Sequence, residues 1–215
     1  MLTLTPPGMA QASLPPPCSE AVSVRLAVAA DAAAVTRIYN ESLPVLAPCG
    51  ADATERVGGR LLAASRLPPL PDDGLAGWVA AHATHRRPLW VALAAGEPVG
   101  WLSLVGFCDR PACNYAAEVA IYVSRAWQRR GVGRRLLEHA LCEAPHWDID
   151  RLMAFIWHDN TASRSLFARH GFRAWGSLPG VVWADSRSRD MQIYGRVLQP
   201  GAPLPAGGAD VRRED

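Results

Sequence analysis

Between Ile121 and Leu141 the chain reads IYVSRAWQRRGVGRRLLEHAL. A strand-like run is followed by a polar turn, then by two glycines, then by a helical stripe of Leu136, Leu137, Ala140 and Leu141. The spacing predicts a strand ending near Val123 and a helix over Arg134–Glu143, which Gln128–Gly133 opens. Gly131 and Gly133 let the backbone turn tightly and let a ligand approach the main-chain N–H groups with no Cβ in the way. Those first N–H groups have no acceptor inside the helix, and the macrodipole adds partial positive charge. Arg129, Arg130, Arg134 and Arg135 contribute full charges, so the whole is an anion site suited to a pyrophosphate. The competing reading is a basic, solvated helix start with a glycine turn. No GxxxxGK[ST] is present, which excludes a P-loop, and no GxGxxG, which excludes a Rossmann dinucleotide site.

The other elements are read around this one. Val22–Val28 alternates as an opening strand, and Asp31 is placed to cap a helix through Ala33, Val35, Ile38 and Tyr39. Thr54 is expected to cap a helix through Leu61 and Leu62, and Asp73 another through Trp78 and Val79. Leu89–Ala95 and Val99–Phe107, joined by Gly96-Glu97-Pro98, predict a β-hairpin. Glu118–Val123 and Leu152–Trp157 read as strands, Thr161–His170 as a helix ended by Gly171, and Phe172–Leu178 and Met191–Leu198 as closing strands. This order predicts an α/β fold with one mixed sheet and helices packed on it. The Pro-rich residues 1–20 and 199–215 are expected to be disordered arms around a single domain at 21–198.

Composition narrows the function classes. The chain of 215 residues carries 22 Lys+Arg, all of them arginine, against 20 Asp+Glu. A net charge of +2 with no aromatic-basic array argues against nucleic acid or an anionic membrane as partner. No apolar run reaches membrane-spanning length, and residues 1–20 do not read as a secretory signal. Five cysteines with irregular spacing point to free thiols in a reducing cytoplasm rather than to a disulfide framework or zinc. His82 and His85 are neighbours without a third ligand, so no metal is expected.

With strand, QRRGVG and helix together, the sequence resembles the GNAT acetyltransferase superfamily, whose Q/R-x-x-G-x-G/A motif binds the pyrophosphate of acetyl-CoA. HDNTASRSLFARHGF resembles its second signature, through Asn160, Ser163, Leu166, Gly171 and Phe172. RPACNYAAEVAIYV resembles the phosphinothricin N-acetyltransferase branch. The resemblance implies a mostly antiparallel mixed sheet flanked by helices, acetyl-CoA as co-substrate, a small primary amine as acceptor, direct transfer in a ternary complex, and a homodimer.

It also implies roles for residues. Main-chain atoms of Ile121, Tyr122 and Val123 would pair with the pantetheine arm, and N–H groups from Arg129 through Arg130, Gly131, Val132 and Gly133 to Arg134 would hold the pyrophosphate. Asn160 would bind the pantetheine region, its structural alternative being a helix N-cap. Glu118 matches the general base, its alternative being a strand-end glutamate paired with an arginine. Arg110 would hold an acceptor carboxylate or be a surface charge, and Tyr115 stands toward the acceptor pocket. Trp90, Trp101, Trp157 and Trp175 are expected in the core, and Trp78, Trp127 and Trp183 beside the acceptor cleft.

The chain departs from the superfamily at Phe167, where many members place a proton-donating tyrosine. It departs from the branch at Cys113, and at Ser188-Arg189-Asp190, where only Asp190 is kept. Within enzymes, the alternative acceptors are a protein N-terminus or an aminoglycoside. Outside enzymes, the alternative is a non-catalytic acyl-CoA-binding module.

Overall fold

Ala95 and Gly96 both have positive φ, 49° and 86°, the pair of conformations a two-residue hairpin turn requires. They join β2 (Leu89–Ala94) to β3 (Glu97–Gly106). The turn therefore lies one residue earlier than the Gly-Glu-Pro stretch suggests, and Glu97 and Pro98 belong to β3. Around this hairpin the chain adds β1 (Ser23–Leu26), α1 (Ala32–Ser42), α2 (Ala76–Thr84), β4 (Ala116–Val123), α3 (Val132–Glu143), β5 (Arg151–Trp157), α4 (Thr161–Arg169), β6 (Arg173–Ala184) and β7 (Arg187–Val197). The computed structural model describes residues 21–42, 70–71, 74–84, 87–108, 110–184 and 187–198. The expected helix at Thr54, the Asp73 cap, His85, Cys18, Cys49 and both terminal arms lie outside the described residues.

The seven strands form one sheet in the order β1-β2-β3-β4-β5-β7-β6. Only β4 and β5 run parallel; every other pair is antiparallel. One face packs Leu102, Leu104, Val119, Leu136, Leu137, Leu152 and Phe167 into the main core. On the other, Val35, Ile38 and Tyr39 of α1 and Val79 of α2 cover Val91, Trp101 and Tyr122. The apolar stripe of α3 is thus buried where its periodicity requires.

Asp31 does not cap α1. It closes a 3-10 turn before the helix, where its buried carboxylate accepts Val28 N–H at 2.8 Å and both Arg25 Nη atoms at 2.7 and 2.9 Å. Burial alone would push the carboxyl upward; the Arg25 and Val28 hydrogen bonds outweigh it and hold Asp31 below its usual value. Its contribution to stability is therefore present above the unfolded-state pKa of about 3.9 and lost as pH falls through the lower folded value. In Arg25→Ala, acid unfolding followed by circular dichroism should begin at higher pH than in the wild type. Coincident curves would contradict this account.

Trp90 and Trp101 are core residues, 2% and 0% exposed, but Trp175 is not, at 46%. Trp175 sits at a bulge between Ala174 and Gly176, and its indole lies flat over Gly195 of β7. A Cβ at position 195 would come within 2.1 Å of the ring. Gly195→Val should lift the indole and cost about 1–3 kcal/mol, as overpacking typically does. A lowered thermal midpoint with altered tryptophan fluorescence is the expected result, and an unchanged midpoint the contrary one.

Cys108 and Cys113 are joined by a disulfide rather than standing as free thiols, their Cα atoms 6.1 Å apart. A 3-10 turn over Pro111–Cys113 folds the β3–β4 loop back on itself and brings the two into bridging range. Irregular cysteine spacing carries no hint of that turn. Cys142 is free and exposed.

Candidate active site

The parallel ladder between β4 and β5 is short. It pairs Ala116, Ala117 and Glu118 with Arg151, Leu152 and Met153 and then stops. Beyond Glu118, β4 pairs only with β3, as far as Val123 opposite Gly100. Beyond Met153, β5 pairs only with β7, as far as Trp157 opposite Met191. The two strands therefore part at Glu118 and leave a wedge with unpaired main-chain edges at 119–123 and 154–157. Such an edge accepts an extended chain as an added strand.

α3 starts at the open end of the wedge. Gly131 is its N-cap, with φ 84° and no side-chain cap, and Arg129 is also left-handed at φ 61°. The first helical bond runs from Arg135 N–H to Gly131 O at 3.0 Å. The N–H groups of Val132, Gly133 and Arg134 accordingly take no hydrogen bond among the described residues. Left-handed residues at 129 and 131 curl successive N–H groups toward one concavity, an anion-binding arrangement. A Cβ at Gly131 would meet no protein atom within 4 Å, so the cradle is open there. Val132 is fully buried against Gly100, whose missing side chain lets it approach; a Cβ at Gly100 would lie 3.0 Å from it. Gly133 lies where α3 meets α4 and β4, with Leu166 and Val123 3.5 and 3.7 Å from the position of a Cβ.

The arginines divide. Arg129 and Arg130 are exposed at the cradle, Arg130 resting over the Trp127 ring at 5.2 Å. Arg134 turns along α3 to pair with Glu138 at 2.8 Å, and Arg135 reaches the Val22 carbonyl at 3.2 Å. Among the described residues Arg129 and Arg130 therefore carry no ion pair at the helix mouth, while i,i+4 pairing draws Arg134 away.

The turn between β4 and α3 is tied down by contacts that sequence reasoning missed. Gln128 Nε2 donates to the Val123 carbonyl at 3.2 Å. Glu41, at the end of α1, accepts Arg125 N–H at 2.9 Å, while its carbonyl accepts Arg125 Nε at 2.8 Å. Burial works to raise the Glu41 carboxyl, but hydrogen bonds from Arg125, Ser124 and Arg37 hold it below its usual value. No local pattern signals a partner 84 residues away.

A family model described as the acetyltransferase (GNAT) family matches residues 59–172, more than half of the chain. The chain belongs to the GNAT family of acetyltransferases. It is 38% identical over 178 residues to YwnH of Bacillus subtilis, provisionally named a phosphinothricin acetyltransferase, covering 82% of this chain and 99% of that one. The L-methionine sulfoximine/L-methionine sulfone acetyltransferase of Salmonella typhimurium is 28% identical, with 80% and 95% covered. Among solved structures, YncA of Salmonella typhimurium with acetyl-CoA superposes with a TM-score of 0.72 at 25% identity, covering 86% and 98%.

The remaining candidates fall around this GNAT wedge. Glu118 is half-buried on β4 at the point of divergence, on the face it shares with Ala120 and Tyr122. Ile121 and Val123 point to the opposite face, toward α3 and α4. Asn160, just past β5, is the N-cap of α4: its Oδ1 accepts Ser163 N–H at 3.0 Å. The capping role is therefore the one its oxygen performs, and Nδ2 has no hydrogen bond among the described residues. Arg110 is exposed in the β3–β4 loop, its carbonyl accepting Cys113 N–H at 2.8 Å. The Tyr115 carbonyl accepts Asp150 and Arg151 N–H at 3.0 and 3.2 Å, which anchors the start of β5. Asp190 Oδ1 accepts Gly180 N–H at 2.9 Å and so holds the β6–β7 hairpin. Phe167 is buried edge-to-face on Phe172 at 4.9 Å. Trp78 packs on His82 and Trp101, Trp127 lies under Arg130, and the Trp183 side chain is outside the described residues. Among the described residues no three His, Cys, Asp or Glu side chains cluster as a metal site.

Proposed function

We propose that this GNAT protein moves the acetyl group of acetyl-CoA to the primary amine of a small, amino-acid-like acceptor by direct transfer in a ternary complex. The observation that carries the reading is the wedge that opens at Glu118 and ends at the uncapped mouth of α3. Acetyl-CoA supplies an activated acyl thioester when bound. The main-chain edge of Ile121, Tyr122 and Val123 would hold its pantetheine arm, with Asn160 Nδ2 donating from the far lip. The N–H groups from Arg129 to Arg134 would hold the pyrophosphate, with Arg129 and Arg130 adding charge.

An acceptor amine arrives as ammonium and has no lone pair until it loses a proton. Glu118, where the strands part, takes that proton. Phe167 cannot donate one, so the leaving thiolate departs as such or is protonated by water, as its modest basicity permits. Arg110 and Tyr115, in the β3–β4 loop, would line the acceptor's approach, where Arg110 suits an acceptor carboxylate.

The setting we propose is a cytoplasmic homodimer. Supply of acetyl-CoA supports the compartment, and exposed Trp175 and Val181 on the outermost strand β6 support a covered face.

The test is release of free thiol from acetyl-CoA in the presence of phosphinothricin, L-methionine sulfone, other amino acids, an aminoglycoside and N-terminal peptides. Turnover with a small amino acid is the expected result. Saturable binding of acetyl-CoA without turnover anywhere in the panel would identify a non-catalytic acyl-CoA-binding module instead.

A further inference from the structure

Residues 107–115 join β3 to β4. In the ladder between these strands Gly106 lies opposite Ala117 and Val105 opposite Glu118. The last pair before the loop is therefore the one next to Glu118. The returning half of the loop is pinned to the rest of the domain. Arg87 Nη2 donates to the Asn114 carbonyl at 2.8 Å, and the Tyr115 carbonyl holds the start of β5. The tip carries Arg110, exposed along with Pro111 and Ala112.

The Cys108–Cys113 bridge closes this tip into a ring with Arg110 inside it, its two ends 5 residues apart in sequence. Cys113 N–H donates to the Arg110 carbonyl at 2.8 Å and Asn114 N–H to the Pro111 carbonyl at 3.1 Å, so bridge and 3-10 turn reinforce each other. A bridge over so short a segment restrains the unfolded chain less than a long-range one does, which makes its effect mainly local. Both cysteines are only partly buried, so small thiols and disulfides can reach them. Accessible bridges belong to the labile, regulatory or catalytic class. In the cytoplasmic setting proposed above, disulfides are usually catalytic or redox-sensing. Direct transfer from acetyl-CoA uses no cysteine nucleophile, which leaves sensing.

We propose that the Cys108–Cys113 bridge is a reversible redox site that controls acceptor binding. Oxidised, it holds the loop tip so that Arg110 is presented to the acceptor; reduced, it releases the tip and weakens acceptor binding. The co-reactants are a dithiol in one direction and a low-molecular-weight disulfide in the other. A thiolate of the dithiol attacks one bridge sulfur, the S–S bond breaks, and its electron pair leaves on the other sulfur, which takes up a proton. The second thiolate then displaces the first cysteine from the mixed disulfide. The chain gains two electrons and two protons as two thiols, and the dithiol becomes a cyclic disulfide. Two exchanges with a small disulfide run the other way and release two small thiols. The inference rests on Arg110 as the acceptor's anchor and adds what governs it.

The experiment compares the full chain after exposure to dithiothreitol and to oxidised glutathione, with the state of each cysteine read by alkylation and peptide mass. Acetylated product is measured by mass spectrometry, because added thiol would mask the release of coenzyme A. Reduction should raise the acceptor KM at least about fivefold while kcat and acetyl-CoA affinity stay within about twofold, the pattern of lost uniform binding. The double variant Cys108→Ser, Cys113→Ser should show the raised KM under both conditions, and Cys142→Ser should respond as the wild type does. Amide exchange at Cys113 and Asn114 should quicken on reduction, a readout independent of turnover. Unchanged exchange, cysteines 108 and 113 still open to alkylation after oxidised glutathione, or a double variant that still responds to dithiothreitol would overturn the redox site. So would equal KM in the two states of a protein whose Arg110→Ala variant loses acceptor affinity. If Arg110→Ala keeps the wild-type KM, or no amine turns over, the acceptor reading fails instead, and the exchange rates still decide whether the bridge holds the loop.

Discussion

Replacing Glu118 by glutamine should lower the acetylation rate at neutral pH by at least tenfold and up to about 10⁴-fold, the range associated with general-base catalysis. Glutamine keeps the size and planarity of glutamate and leaves the β4 main chain paired with Val105 and Met153. Acetyl-CoA binding and thermal stability should therefore match the wild type. What the variant lacks is an oxygen basic enough to take the ammonium proton. The loss should shrink as pH rises toward the acceptor's own pKa, where solvent supplies the free amine. Stopped assays of thiol release across pH measure this directly. A variant with the wild-type rate at pH 7 would show that Glu118 is a structural carboxylate, and a variant that also fails to bind acetyl-CoA would show that its role lies in the wedge.

The second large effect belongs to Gly131→Val combined with Gly133→Val. At Gly131 the obstacle is conformational: φ is 84° and nothing crowds the Cβ position. Left-handed backbone costs an ordinary L-residue roughly 1–2 kcal/mol, and a β-branched one tolerates it worst. The helix start would have to rotate, and with it the N–H groups aimed at the anion. At Gly133 the obstacle is spatial. A Cβ fits beside Leu166 and Val123 at 3.5 and 3.7 Å, but two further methyl groups must enter the wedge or push α4 aside. The double variant should bind acetyl-CoA at least about a hundredfold more weakly, since each step of 1.4 kcal/mol is tenfold, while Gly133→Ala alone should stay near wild type. Retained affinity in a folded double variant would remove the cradle from the account.

What was legible in the sequence was local. The strand–turn–helix at Ile121–Glu143, the hairpin at Leu89–Gly106 and the Asn160-to-Gly171 helix each carry their own turn and capping chemistry, so their positions follow from a few neighbouring residues. The site's decisive geometry is not local. No pattern within β4 or β5 says that their pairing stops at Glu118 and Met153; that depends on β5 turning to β7 while β4 stays with β3. Tyr122 was legible only as a main-chain donor and acceptor, because its ring acquires meaning through Trp101 and Tyr39, which come from β3 and α1. Arg134 reads as part of the cradle by proximity, yet Glu138 one turn later holds it along the helix. Trp175 reads as core by its strand, whereas the absence of a side chain at Gly195 on the next strand gives it a seat on the surface.

Calorimetric titration of coenzyme A into the protein tests most directly whether the mouth of α3 grips a diphosphate. Saturable heat at one ligand per chain is predicted, with a rise in the unfolding midpoint that grows with ligand concentration as selective binding to the folded state requires. A pantetheine fragment without the diphosphate should bind far more weakly. No heat and no protection from unfolding at millimolar coenzyme A, or equal affinity for the fragment, would contradict the account at its root.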